Sequence, residues 1–264
     1  MPNKKPKVLV LATTFPAHNG DGTPSFVLDV CLALRRNFEI VVVAPKMSGA
    51  IGWTSVDGLS VYRFGRNWPF SAALASGSIL DNLRKSPPAV FQVPFFLASF
   101  LLSTLLIARQ HRPDVVHAHW LIPAGFLSRL VFRGPRVVTS HGGDLYALSG
   151  FLGTWFKRQA ITGASVTVVN SEMAHIAKSL GAQGDVPVIP SGPVPIRPSK
   201  KTKTPGQVIF VGRLVEKKGL KFLLRAVRDL PCELHVVGDG PLGPEMRVHA
   251  PSNVVFHGQK GKDY

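Results

Sequence analysis

Five short stretches of the sequence hold residue types that chemistry needs, and each follows an apolar run. The first is Phe15-Pro16-Ala17-His18-Asn19-Gly20-Asp21-Gly22-Thr23-Pro24, a glycine-containing loop after Val8-Leu9-Val10-Leu11. Backbone N–H groups in such a loop can meet a phosphate at the start of a helix. It is neither G-x-G-x-x-G nor a Walker A sequence, so dinucleotide and NTPase readings lose their main support. A plain turn stays open beside a phosphate loop. The second, His117-Ala118-His119-Trp120, is an H-x-H pair. Alternate strand positions put both imidazoles on one face, which suits a metal. No carboxylate or third histidine lies at motif spacing, so a packed, hydrogen-bonded pair is the better reading.

The third stretch is Ser140-His141-Gly142-Gly143-Asp144. Histidine switches protonation near neutral pH, and the glycines let a ligand come close to the backbone. A carboxylate three residues on can orient the imidazole or accept from a hydroxyl, and a turn-capping role stays equally open. The fourth, Gly212-Arg213-Leu214-Val215-Glu216-Lys217-Lys218-Gly219, sets cations at a strand end and before a helix. Two cations and a helix N-terminus suit a diphosphate; Lys217 reads equally well as a solvated surface charge. The fifth, Gly238-Asp239-Gly240-Pro241, is another strand-to-helix turn with permissive backbone.

The elements that must position these residues alternate β-branched runs with helical periods. Strands are expected at Lys7–Thr13, Glu39–Pro45, Asp114–Trp120, Arg136–His141, Ser165–Asn170 and Val186–Ile189. Most are unbroken apolar runs, as in parallel strands covered on both faces. Phe26, Val27, Val30, Cys31 and Leu34 recur at helical spacing, with Thr23 as the expected N-cap and Pro24 at the first helical position. Further helices are expected over 71–85, 90–110, 123–132, 151–162 and 172–180. Such alternation predicts a doubly wound α/β fold, whose ligands sit beyond the carboxyl ends of the strands. The pattern breaks at Pro190-Ser191-Gly192-Pro193-Val194-Pro195, so a first domain is expected over 1–192 and a linker over 193–205. Alternation resumes over 206–264: strand Gln207–Gly212, helix Leu220–Leu230, strand Glu233–Val237, a short helix near Glu245 and strand Asn253–Phe256. Such a block is small for an independent open-sheet domain.

Composition narrows the partners. The 264 residues are 45% hydrophobic and 17% charged, which excludes a disordered or collagen-like chain. Cys31 and Cys232 lie in apolar runs and predict reduced thiols in a cytoplasmic protein. The net charge of +16 is spread along the chain and calls for an anionic partner: nucleic acid, membrane or phosphorylated small molecule. Nucleic acid has only the charge behind it, with no motif or aromatic-basic stripe. Ala89 to Ala108 carry no charge. Flanking strands that belong to one sheet argue for a buried or interface-lying helix there rather than a bilayer span, and a peripheral contact with an anionic membrane fits the charge.

Taken together, the glycine loop, Val115-Val116-His117-Ala118-His119-Trp120, Ser140–Asp144, Gly212-Arg213 with Lys218-Gly219, and Gly238–Pro241 occur in the order and approximate spacing of family 4 (group 1) glycosyltransferases, which the sequence resembles over essentially its whole length. The resemblance implies a GT-B architecture: a complete N-terminal Rossmann-like parallel sheet domain, here followed by an incomplete second Rossmann-like lobe across a cleft. It implies transfer of a sugar from a nucleotide-diphosphate donor to a glycan or lipid-linked acceptor, with retention and without a bound metal or other cofactor. Arg213 and Lys218 would hold the donor diphosphate and, with His141 at the donor sugar, form the catalytic set. Gly20, Gly22 and Gly212 would border the diphosphate, Asp144 would lie close to the sugar, and Gly258 and Gln259 would meet the nucleotide base. Fixed cations lower the barrier by stabilising the leaving group.

Two departures stand out. Ser191-Gly192 replaces the family's usual Asn-Gly. The family's paired glutamates, spaced eight apart after a Pro-Ser segment, are expected only beyond position 264. The alternative expectation is therefore an inactive, truncated remnant that at most binds a nucleotide sugar or a membrane.

Overall fold

The computed structural model describes residues 4–18, 21, 23–46, 51–65, 87–191 and 204–260. The helix expected over 71–85 and most of the 193–205 linker lie outside them. The chain divides into two compact units, Met1–Val194 and Pro195–Tyr264.

The first unit is built on a seven-stranded sheet in the order β3-β4-β2-β1-β5-β6-β7. Its strands are β1 (Lys7–Leu11), β2 (Glu39–Pro45), β3 (Gly52–Val56), β4 (Leu59–Phe64), β5 (Val115–His119), β6 (Arg136–Ser140) and β7 (Ser165–Val168). All pairings are parallel except β3–β4, a hairpin that places an antiparallel strand at the edge. The sequence reading misses this hairpin, although Asp57 (φ 49°) and Gly58 (φ 77°) make the left-handed two-residue turn that hairpins favour. β3 alternates half-buried and exposed residues up to the buried Val56 instead of presenting an apolar run. Val186–Ile189 forms only a single bridge, Val188 to Val168. Pro187 and Pro190 lack the N–H groups a ladder needs.

Helices α1 (Phe26–Leu34), α2 (Val93–His111), α3 (Phe126–Val131), α4 (Gly143–Tyr146), α5 (Phe151–Ile161) and α6 (Ser171–Ser179) join the strands. α1 covers one sheet face, where Val27, Leu28 and Cys31 pack on Val8, Val10 and Val42. Burial pushes the Cys31 thiol up to about 12, so it stays protonated. The other face carries α2, α3 and α5 over Leu9, Leu11, Val116 and Val138. The start of α1 differs from expectation. The residue before it is Ser25, whose hydroxyl donates to Asp29 across 2.8 Å, while the Thr23 N–H is taken by Asp21.

The second unit has a three-stranded parallel sheet, β10-β9-β8, from β8 (Gln207–Val211), β9 (Glu233–Val237) and β10 (Val254–Gly258). Helices α7 (Leu220–Val227) and α8 (Gly243–Val248) cover one face, around Leu214, Leu220, Leu224, Leu234 and Val236.

Candidate functional site

In each unit the candidate residues lie where strands give way to loops at their carboxyl ends. In the first unit, His119 closes β5 and His141 follows β6. Nδ1 of His119 and Nε2 of His141 are 2.9 Å apart, and the rings stack at 13°. His117, on the same strand face, shares a hydrogen bond of 2.8 Å with Thr139, which reaches Thr167 at 2.7 Å. Burial drives His117 and His141 down to about 4 and His119 well below its usual range, and neighbouring imidazoles push His119 and His141 the same way. The cluster is therefore neutral at pH 7.

Neutrality fixes more than charge. A neutral imidazole has one donor and one acceptor nitrogen, and Nε2 of His119 is buried with no hydrogen-bond partner among the described residues. A stranded lone pair is better tolerated than a stranded N–H. The network is therefore best satisfied when His119 donates from Nδ1 to His141, which leaves His141 its hydrogen on Nδ1. Beside it stand Phe26 at 4.6 Å and Trp120 at 5.0 Å between ring centroids. Gly142 takes φ 98°, a conformation side chains rarely adopt. No group of three or more His, Cys, Asp or Glu residues is placed to hold a metal among the described residues.

Asp144 is buried, and both its oxygens are engaged. Oδ2 accepts from the Leu121 N–H at 2.6 Å and Oδ1 from the Ser140 hydroxyl at 2.9 Å. Burial raises its pKa, and those hydrogen bonds oppose the rise. The carboxylate ties the turn after β6 to the chain leaving β5, so it sets the position of His141. Lys157 Nζ donates to the Leu145 carbonyl at 2.7 Å, beneath the same turn.

Gly20 and Gly22 lie outside the described residues, but two supports of their loop are visible. Asp21 accepts from the N–H groups of Ala17 and Thr23. The buried Arg63 donates to the carbonyls of Phe15, Pro16 and Pro45; burial lowers its pKa to about 10, which leaves it charged at pH 7. The sequence reading missed Arg63. Its one signal is a lone arginine between Tyr62 and Phe64 of β4, where a buried charge must find acceptors.

In the second unit the ends of the three strands come side by side. The Gly212 N–H bonds to Val237 O, Leu214 N–H to Asp239 O, and Gly238 N–H to Gly258 O, at 2.8–3.0 Å. Gly238 (φ 134°) lies so close to the 212–214 loop that a Cβ would fall 2.0 Å from Gly212 O; one on Gly240 would fall 2.5 Å from Leu214 O. This packing aligns Gly212, Gly238 and Gly258 along one edge. Arg213 is exposed on the loop leaving it, as is Lys218 at the end of the 3-10 turn Glu216–Lys218 that leads into α7. Gln259 is exposed just past β10.

Comparison with known proteins gives the class and the family. The model described as "Glycosyl transferase 4-like domain" matches residues 21–192, and that described as "Glycosyl transferases group 1" matches residues 205–263. The chain belongs to this glycosyltransferase family. It is 30% identical over 166 residues to TuaC of Bacillus subtilis, named as a glycosyltransferase of teichuronic acid biosynthesis, and 25% identical over 149 residues to the uncharacterized glycosyltransferase MJ1178 of Methanocaldococcus jannaschii. These alignments cover 55% and 54% of the chain and 42% of each relative; the chain spans well under two thirds of the relatives it matches. Among solved structures, sucrose-phosphate synthase from Thermosynechococcus elongatus superposes with a TM-score of 0.66 at 17% identity, covering 98% of this chain and 71% of that one. The lipopolysaccharide outer core galactosyltransferase WaaB gives 0.57 at 14%, covering 96% and 68%. At these identities the likeness is one of fold.

Proposed function

We propose that the protein moves a hexose from a nucleotide-diphosphate sugar to a glycan or lipid-linked acceptor, with retention at the anomeric carbon. The observation that carries this reading is the edge of the second unit, where Gly212, Gly238 and Gly258 align beside the exposed Arg213 and Lys218. A Cβ would meet only the Phe210 ring at Gly212 and nothing at Gly258, so bare backbone leaves room for a diphosphate there, while Gly238 packs against the Gly212 carbonyl; two cations beside them offset the charge that develops as the nucleotide departs. Gly258 and Gln259 meet the base. In the first unit, His141 offers its Nδ1 hydrogen to a hydroxyl of the donor sugar, and Asp144 holds the turn behind it instead of touching the sugar. Gly20 and Gly22 border the diphosphate. The donor sugar is the substrate, and the chemistry calls on no cofactor. The name of TuaC favours polysaccharide biosynthesis, the positive charge favours an acceptor held at an anionic membrane, and the unpaired Cys31 and Cys232 favour the cytoplasm.

Calorimetry with a panel of nucleoside diphosphates tests the binding half of this proposal. One of them binds, and Arg213→Ala weakens it by about 1.5–3 kcal/mol, the scale of a charge-assisted hydrogen bond. Equal affinity of the variant removes Arg213 from the site. NMR of the sugar released from the matching donor tests the chemistry: the product first appears with the donor's anomeric configuration, and the opposite anomer refutes retention.

A further inference from the structure

Helix α2 is apolar on two sides. Phe100, Thr104 and Ile107 face the sheet, with Phe100 stacked on Phe64 at 4.5 Å. On the opposite side Phe91, just before the helix, and Phe95, Leu102 and Leu106 within it are 79%, 59%, 65% and 45% exposed. They recur at intervals of four and seven residues, which draws one straight outward stripe. The segment Val90–His111 has a mean hydropathy of 2.1, long and apolar enough to cross a bilayer. A crossing is nonetheless excluded by topology, because β4 before it and β5 after it belong to one sheet.

Charge says what the stripe faces. Arg109 continues it at its C-terminal end, and a hollow of about 630 Å³ opens there among Lys4, Lys5, Lys7, His111 and Arg112. The one acid lining that hollow, Asp114, already accepts the Lys7 backbone N–H at 2.7 Å. An apolar stripe that runs into a basic hollow matches an interface of acyl chains and anionic headgroups. A second copy whose stripe met this one in parallel would set its own basic hollow beside this one, and an antiparallel copy would leave the two hollows a helix length apart, at opposite ends of the pair.

We propose that the outward stripe of α2 and the basic hollow at its end seat the first unit on an anionic membrane, with the helix lying in the plane of the interface. The proposal goes beyond the sugar-transfer reading and rests on the first unit alone. Its test needs no donor, so either can fail without the other.

The experiment is cosedimentation of the protein with vesicles of phosphatidylcholine alone and with about one third phosphatidylglycerol. Binding is expected to the anionic vesicles and to fall steeply with salt. Phe95→Ser with Leu102→Ser, on exposed positions that leave the core untouched, is expected to lower it about tenfold. Lys4→Glu with Arg109→Glu abolishes it. Circular dichroism and melting that match the parent show that the variants fold. Three results overturn the proposal: no binding to either vesicle, equal binding to both, or a dimer in solution that the Phe95/Leu102 variant turns into monomer.

Discussion

The two units carry the same local arrangement in different surroundings. Each has a histidine pair on adjacent parallel strands, His119 with His141 at 2.9 Å and His235 with His257 at 3.0 Å. In the first unit the pair stands at the strand ends, where loops converge and a ring can reach a ligand. In the second, His235 lies mid-strand in β9, on the sheet face opposite α7 and α8, next to Ile209 and Val211, which are 65% and 70% exposed. A cross-strand imidazole pair is thus not a site in itself; its place along the strand decides. The sheets differ likewise. The first is packed on both faces, whereas the second is packed on one and holds its cationic edge on a much smaller core.

The largest expected effect strikes the better-packed unit. Phe100→Ala removes a fully buried ring stacked between α2 and β4, and chemical denaturation should show a loss of about 3–5 kcal/mol in the first unit. Hydrogen exchange separates the units: the β8–β10 amides should keep their protection in this variant. Loss of protection in both would mean that the units fold as one, and the contrast between them would go.

Next comes acid. His141 has a folded pKa of about 4, below the ordinary 6.5 of an unfolded histidine, so between these values the unfolded chain binds a proton that the folded chain refuses. The contribution is complete above about pH 6.5 and is lost as pH falls toward 4. For a group this buried it amounts to about 3 kcal/mol, and His117 works in the same direction. Denaturant midpoints followed from pH 7 to 4 should fall in the first unit, with a shallower slope in His141→Gln. A flat profile would show that the cluster is already hydrated.

A smaller effect tests the tautomer. Long-range nitrogen–proton NMR should find His141 with its hydrogen on Nδ1. His119→Phe should let that hydrogen redistribute and cost about 1 kcal/mol of donor binding through the lost positioning. A parent protein with the hydrogen on Nε2 would reverse the donor assignment between the two rings.

How far the sequence could be read follows from what each element depends on. β2 and β9 have the bounds expected of them: β2 is an apolar, β-branched run after Glu39, as a parallel strand buried on both faces needs, and β9 is marked by Leu234, Val236 and Val237. The β3–β4 hairpin escaped because its signal is the two-residue Asp57-Gly58 turn, hidden beside an amphipathic edge strand. His141 was legible from the short run Ser-His-Gly-Gly-Asp. The role of Asp144 was not, since its partner Leu121 is 23 residues away in sequence and only the pairing of β5 with β6 brings them together. Arg63 escaped for the same reason: its acceptors Phe15 and Pro16 come from the far side of two strand crossings.

The smallest effect is the sharpest probe of the open sheet face. Ile209 points away from α7 and α8, so Ile209→Thr keeps β-branching in β8 and removes an apolar contact only if something covers that face. On a bare face the change should fall within about 0.5 kcal/mol by denaturant unfolding. It should also raise the solubility limit, since exposed β-branched residues on an edge strand promote association. A loss of about 1–2 kcal/mol would instead report that Ile209 is buried in solution. The second unit would then have a packed face of its own, and the contrast drawn between the two sheets would fail.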